Sequence, residues 1–267
     1  MMRPAGYAAL FAAGTFAVAL AYEGAVRYLR SQVFQPDPGP ITAVTRDGVA
    51  FSPLTLTRAD GTTVTGLQAT GSRPGKAVVV YLHGNGGSAL TGAHDAAILA
   101  TVGYDLVIAD YAGYGGNPGS PSQSGLVADA DAFLARGHVI AEGRPLLLIG
   151  HSLGGALAVL VAGDAPIAGL LTIGAVARLS DLVPVLARPF LRDRFDALAS
   201  ASRVTAPWLI AHGEADEVVP ASDAVRLAGA RAQSRRELDI ATGLAHPVEP
   251  ASLLGLTERL FAMRARS

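Results

Sequence analysis

Apolar residues in this chain fall in short solid runs separated by longer stretches of helical period and by glycine-rich turns. Residues 77–82, 105–109, 146–149, 169–173 and 207–211 are runs of four to six mostly Val, Leu, Ile and Ala. Runs of that length with no polar alternation predict strands buried on both faces, as in a parallel sheet. Residues 52–57 and 63–69 flank the turn signal Ala59-Asp60-Gly61 and predict an antiparallel hairpin at the start. Residues 236–241 supply one more strand. Helical patterns at 89–101, 122–142, 221–230 and 250–264, and directly after 146–151, alternate with the strands. The expectation is an α/β fold: a mostly parallel, twisted sheet of about eight strands with helices on both faces. The connection 174–206 is short, with room for two small helices around Pro184 and Pro189, so any cap over the sheet is minimal.

One stretch has a different pattern. Residues 4–22 carry no charge and are rich in Ala, Leu, Phe and Val. That is about the twenty apolar residues that span a bilayer. Three readings are open. A retained anchor is favoured by the length and by the way residues 23–30 continue the helix. A cleaved signal peptide is suggested by Ala19-Leu20-Ala21. A buried core helix is the third. Arg3 on one side and Arg27 and Arg30 on the other are too evenly balanced to set an orientation. The segment 36–40, Pro-Asp-Pro-Gly-Pro, reads as a semi-rigid linker. The division is therefore 1–40, anchor and linker, and 41–267, the α/β domain. A chain starting near Val44 is expected to fold on its own.

Composition narrows the classes. The net charge of −1 leaves no electrostatic footprint for nucleic acid. No cysteine is present, which removes disulfides, a thiol nucleophile and thiolate metal sites. Lys76 is the single lysine among 21 basic residues, a bias associated with GC-rich bacterial genomes.

The chemistry lies where the run 146–149 meets Gly150-His151-Ser152-Leu153-Gly154 and a helical pattern follows at once. Gly-x-Ser-x-Gly between a strand and a helix is a nucleophile elbow, in which a strained turn exposes the serine Oγ. Ser152 is the candidate nucleophile. A serine hydroxyl needs a base, and the base needs an orienting acid. Two histidines follow Ser152. His246 sits in a loop after a strand and can reach back over the sheet edge; His212 ends an apolar strand and reads as packing. Asp216, just after the strand 207–211, is the expected acid, with Glu214, Glu217 and Asp181 as alternatives. Backbone N–H groups for an oxyanion are expected from Leu153 and from the loop His83-Gly84-Asn85-Gly86-Gly87-Ser88. That loop has neither the Lys-Ser/Thr ending of a P-loop nor GxGxxG spacing.

In these motifs and their order the chain resembles the α/β-hydrolase superfamily, from about Phe51 to the C-terminus. Within it, His83-Gly84-Asn85-Gly86, Asp110-Tyr111-Ala112-Gly113-Tyr114-Gly115, Gly119-Ser120-Pro121-Ser122 and the segment 212–220 look like the membrane-anchored, capless serine hydrolases. That group includes depalmitoylase-like and monoacylglycerol-lipase-like members. The resemblance puts nucleophile, acid and base on Ser152, Asp216 and His246, and the second oxyanion N–H on Asn85. Ala112 stands where the group has Arg, and Gly116-Asn117 also depart from its pattern. The resemblance implies hydrolysis of an ester or thioester of a medium or long acyl chain through an acyl-enzyme, with no metal or organic cofactor. A serine aminopeptidase with the same triad is the enzymatic alternative, and a hydrolase-fold binding protein the non-enzymatic one. Association into oligomers is not legible in the sequence.

Overall fold

The computed structural model describes residues 4–72, 75–231 and 233–264, with the side chains of residues 4–14 outside that description. In chain order the elements are α1 (Pro4–Val33), β1 (Gln35–Pro36), β2 (Val44–Arg46), β3 (Val49–Thr57), β4 (Thr63–Ala69), β5 (Ala77–Leu82), β6 (Gly86–Gly87) and α2 (Ala89–Thr101). Then come β7 (Tyr104–Ile108), α3 (Gln123–Ala141), β8 (Leu146–His151), α4 (Leu153–Ala162), β9 (Gly169–Ile173), α5 (Ala197–Ser200), β10 (Trp208–Gly213), α6 (Ser222–Gly229), β11 (Arg236–Ala241) and α7 (Pro250–Arg264).

The main sheet has nine strands in the order β11-β10-β9-β8-β5-β7-β4-β3-β2. From β11 to β7 the strands are parallel; β4, β3 and β2 are antiparallel. Residues along β5 alternate between two cores. Val78, Val80 and Leu82 face α3 and α4, whereas Ala77, Val79 and Tyr81 face α2 and α7. Burying a Val or Leu side chain fully is worth ~1.5–3 kcal/mol. Each central strand collects that on both faces, which is why its sequence is apolar without alternation. Two polar caps start helices where the pattern changes: Ser88 Oγ accepts from Leu90 N, and Ser122 Oγ from Gly125 N at 3.1 Å.

The expected eight strands become nine because of β2. It pairs with β3 across Asp47-Gly48, whose φ values of 48° and 76° are those of a tight hairpin turn. A second, two-stranded parallel pair joins β1 to β6, with Gln35 opposite Gly86 and Pro36 opposite Gly87. The connection 174–206 is indeed small: single turns of 3₁₀ helix at Leu179–Asp181 and Ala201–Arg203, a six-residue 3₁₀ helix at Val185–Phe190, and the four-residue α5.

Among the described residues no helix is long and apolar enough to cross a membrane. The expected span 4–22 falls partly on residues 4–14, outside the described side chains. Phe16, Val18 and Leu20 are exposed, whereas further along α1 Val26 is buried. From Glu23 on, the segment read as anchor and linker lies on the body of the protein. Glu23 pairs with Arg192, and Arg30 Nε donates to Asp193 Oδ2 at 2.9 Å. Phe34 is buried edge-on against Phe195. The Pro-rich stretch is pinned as well: Asp37 N donates to Gly87 O, Gly115 N to Asp37 O, and Ile41 N to Gly115 O.

The chain runs from β5 outward to β7, then returns to β8 on the other side of β5. The carboxyl ends of β5 and β8 thus flank the switch point of the sheet, where open α/β sheets hold their ligands. Loop 83–88 leaves β5 there, and Ser152 leaves β8.

Candidate active site

Ser152 adopts φ 55° and ψ −121°, outside the region open to an ordinary side chain. Such a conformation costs about 1–3 kcal/mol and persists only where its surroundings fix it. Its N–H donates to Ile173 O at 2.9 Å, and α4 begins at the next residue. The turn closes because its glycines are bare. A Cβ on Gly150 would lie 2.3 Å from Gly154 O, and a Cβ on Gly154 would lie 2.3 Å from both Leu82 O and His83 O.

The three side chains expected from the sequence meet above this turn. His246 Nε2 is 2.9 Å from Ser152 Oγ, and His246 Nδ1 is 2.7 Å from Asp216 Oδ2. The Asp216 side chain is shielded from solvent, and His246 is 16% exposed. Oδ1 of Asp216 accepts from Val218 N and Val219 N, both at 2.8 Å. Burial alone would raise this carboxyl. The Val219 N–H, the His246 ring and the Val218 N–H together outweigh burial and hold it below the usual carboxylate range. The acid and histidine loops are tied directly, since Ala215 N donates to Leu244 O at 3.0 Å.

The alternatives lie elsewhere. Asp181 pairs with Arg226, and Glu214 and Glu217 are exposed. His212 is buried behind Asp216. Its Nε2 is 2.9 Å from Val219 O and 3.3 Å from Asp216 Oδ2, so it packs the acid loop and does not face Ser152.

Other contributors were not anticipated. His151 Nε2 donates to the backbone oxygen of His246 at 2.9 Å. Burial lowers the His151 pKa to about 4, so the ring is neutral near pH 7, and the bond fixes the height of the histidine loop. Loop 83–88 is held by the segment 110–115. Asp110 accepts from Tyr111 N and from Ala89 N, and its Oδ1 is 3.2 Å from His83 Nε2. Tyr111 Oη donates to His83 O at 3.0 Å, and Tyr114 Oη to Asn85 O at 2.9 Å. The Asp-Tyr-Ala-Gly-Tyr-Gly motif therefore shapes the loop from beneath. Ala112 N donates to Asp129, which also meets Arg58. Asp110, Tyr111 and Tyr114 stand in the Asp-Tyr-Ala-Gly-Tyr-Gly motif and His151 in the elbow, but their roles are set by long-range contacts that only the fold makes.

Asn85 and Leu153 line a cavity of about 210 Å³ that opens beside Ser152. Its remaining walls are apolar except for Gln32: Val176, Leu179, Leu182 and Val183 from the cap connection, Val218 and Val219 from the acid loop, and Leu29 and Val33 from α1. Among the described residues no carboxylate lines it. A larger cleft, about 620 Å³, lies away from this chemistry and is lined by Gln68, Asp105 and Arg136 among others.

Residues 73–195 match the family described as serine aminopeptidase, S33. Protein Rv2307c of Mycobacterium tuberculosis (strain ATCC 25618 / H37Rv) is 31% identical over 242 residues, 86% of this chain and 85% of that protein. A shorter region, 81 residues or 29% of this chain and 21% of the other, is 42% identical to lysophosphatidylserine lipase ABHD12 of Danio rerio. Among solved structures, the esterase domain of a Rhodothermus marinus protein superposes with a TM-score of 0.60 at 19% identity, over 81% of this chain and 98% of that one. With this fold and this arrangement of residues, the chain belongs to the α/β-hydrolase superfamily and is a serine hydrolase.

Proposed function

We propose that the protein hydrolyses carboxylic esters or thioesters of an acyl chain through a covalent acyl-enzyme. The observation that carries this is the Ser152–His246–Asp216 relay opening onto an apolar cavity. His246 takes the Ser152 proton as Oγ attacks the acyl carbonyl, and Asp216 holds the ring with Nε2 free to accept it. The backbone N–H groups of Leu153 and Asn85 receive the oxyanion. His246 then gives its proton to the leaving alcohol or thiol. A water repeats the sequence and releases the acid. No step draws on a metal or organic cofactor.

A second reading, a serine aminopeptidase, is favoured by the family match over 73–195. An aminopeptidase holds its substrate's ammonium with acidic groups, and the cavity beside Ser152 offers none. The two separate on one plate: p-nitrophenyl esters of graded acyl length against aminoacyl-naphthylamides. Turnover of the esters alone supports the acyl-hydrolase; turnover of the amides alone sinks it.

We also propose that residues 4–22 anchor the chain in a bilayer, with secretion after signal-peptide cleavage as the alternative. The apolar, charge-free sequence supports the anchor, as does the exposure of Phe16, Val18 and Leu20. Carbonate extraction of membranes together with N-terminal sequencing tests it; a mature chain starting near Tyr22 and lost to the soluble fraction overturns it.

A further inference from the structure

We propose that the last two turns of α1 form a working wall of the active site, and that Leu29 and Val33 set the length of acyl chain the enzyme accepts. This rests on the ester-hydrolase reading above and deepens it.

Leu29, Gln32 and Val33 stand at i, i+3 and i+4, on one face of the helix. All three line the cavity that also contains Ser152 and Leu153. Facing them are Val176, Leu179 and Val183 from the cap connection. α1 thus supplies three of the residues that line the cavity beside Ser152.

The wall is fixed from both directions. Towards the cap, Arg30 Nε donates to Asp193 Oδ2 at 2.9 Å and its Nη2 to Pro121 O at 3.1 Å. Asp193 is buried and also accepts from Gln123 N, so this anchor is itself held. Tyr22 stacks at a tilt on Phe190 with centroids 5.4 Å apart, and Val26 is buried beneath. Towards the sheet, the chain leaves α1 through buried Phe34 and enters β1. There Gln35 N donates to Asn85 O at 3.0 Å, and Asp37 N to Gly87 O at 3.0 Å. The helix is thus joined at its end to the very loop expected to hold the oxyanion. A wall held at both edges has a defined distance from Ser152, and that distance can select a substrate.

The cavity measures about 210 Å³. Allowing each methylene roughly the 30 Å³ that a water molecule occupies in the liquid, it holds about seven carbons. Its lining is aliphatic, with Gln32 as the one polar side chain contributed by the helix. The fitting ligand is an unbranched acyl chain of medium length. Cleavage of a leader after Ala21 would leave this wall intact, because Leu29 and Val33 lie beyond that point.

The test uses the full chain and a panel of p-nitrophenyl acetate, butyrate, octanoate and dodecanoate. Wild type is expected to be fastest in kcat/KM on octanoate. Leu29→Trp fills the cavity and should lower the octanoate-to-acetate ratio of kcat/KM at least tenfold. Leu29→Ala enlarges it and should raise the dodecanoate-to-octanoate ratio severalfold. Tyr28→Ala, on the exposed side of the same helix, controls for helix disturbance and should leave both ratios unmoved. Labelling of Ser152 by a fluorophosphonate is followed in every variant. Intact labelling with both ratios unmoved in the two Leu29 variants overturns the proposal and leaves the hydrolase reading standing. Absence of labelling and of ester turnover in wild type overturns the hydrolase reading, and this proposal with it. If the tryptophan variant fails to fold, the alanine variant alone decides.

Discussion

Asp216→Asn is the substitution whose consequence can be worked most fully from the geometry. Every group around this carboxylate is a donor. Val218 N and Val219 N point at Oδ1, both at 2.8 Å; His246 Nδ1 at 2.7 Å and His212 Nε2 at 3.3 Å face Oδ2. A carboxamide has one acceptor oxygen and an NH₂ that only donates, so either orientation turns an NH₂ towards donors. The two backbone N–H groups cannot retreat, so the amide oxygen takes the place of Oδ1. The amide nitrogen then faces His246 and turns Nδ1 into an acceptor. The ring proton moves to Nε2, which can no longer take the proton of Ser152. The attraction between Asp216 and the imidazolium formed during attack is lost as well. At 2.7 Å and an effective dielectric of about 20 that attraction is ~6 kcal/mol. The same exchange in a chymotrypsin-type triad lowers kcat about 10⁴-fold, or ~5 kcal/mol. The two figures agree, and the expectation is a 10³- to 10⁵-fold fall in kcat, roughly the span those energies allow. The assay is octanoate-ester turnover by wild type and variant, with thermal unfolding to confirm that both are folded. A folded Asp216→Asn protein keeping a tenth or more of wild-type kcat would refute both the role of Asp216 and the tautomer argument.

Three further perturbations test neighbouring parts of the account. Gly154→Ala sets a Cβ 2.3 Å from Leu82 O and His83 O, so strand and helix must separate; a stability loss of about 3 kcal/mol is expected in denaturant unfolding, and a loss under 1 kcal/mol would contradict the close approach. Asn85→Pro removes an N–H and should cut kcat about 10²-fold or more, while Asn85→Ala keeps most activity; comparable defects in both folded variants would assign the role to the side-chain amide. His151 has a pKa near 4 in the folded state against 6.5 in the unfolded chain, so the unfolded state takes up its proton first as pH falls. Its burial therefore costs nothing above pH 6.5 and lowers stability progressively down to about pH 4, by ~3 kcal/mol in all. His151→Asn should flatten that part of the stability-versus-pH curve, and an unchanged slope would show that His151 is not buried neutral.

The parts of this protein legible in the sequence are those whose signal is local. The elbow was readable because a solid apolar strand, two bare glycines and a helical pattern stand in thirteen consecutive residues, and the chemistry of the turn needs all three. His246 and Asp216 could be chosen because each follows a recognisable strand, β11 and β10, at the carboxyl edge. β2 was within reach: Asp47-Gly48 is a hairpin signal, but three residues are too few to show alternation. The β1–β6 pair was not, since Gln-Pro and Gly-Gly carry no strand pattern and pair only because α1 delivers one to the other. The docking of α1 was also invisible. Arg30 and Asp193 are 163 positions apart, and a run such as 4–22 reads the same whether the helix beyond it hangs free or lies on the protein. His151, placed by the turn against the histidine loop, is a long-range contact of the same kind.

The central claim is that Ser152 is a hydroxyl activated by His246 and turned towards an acyl carbonyl. Intact-protein mass spectrometry after treatment with a fluorophosphonate, with the modified peptide sequenced, tests it most directly. The account predicts one added phosphonyl group on the wild-type chain, located on Ser152. It predicts none on Ser152→Ala and strongly slowed labelling of His246→Ala. Labelling at another residue, or equal labelling of a folded Ser152→Ala protein, would contradict it.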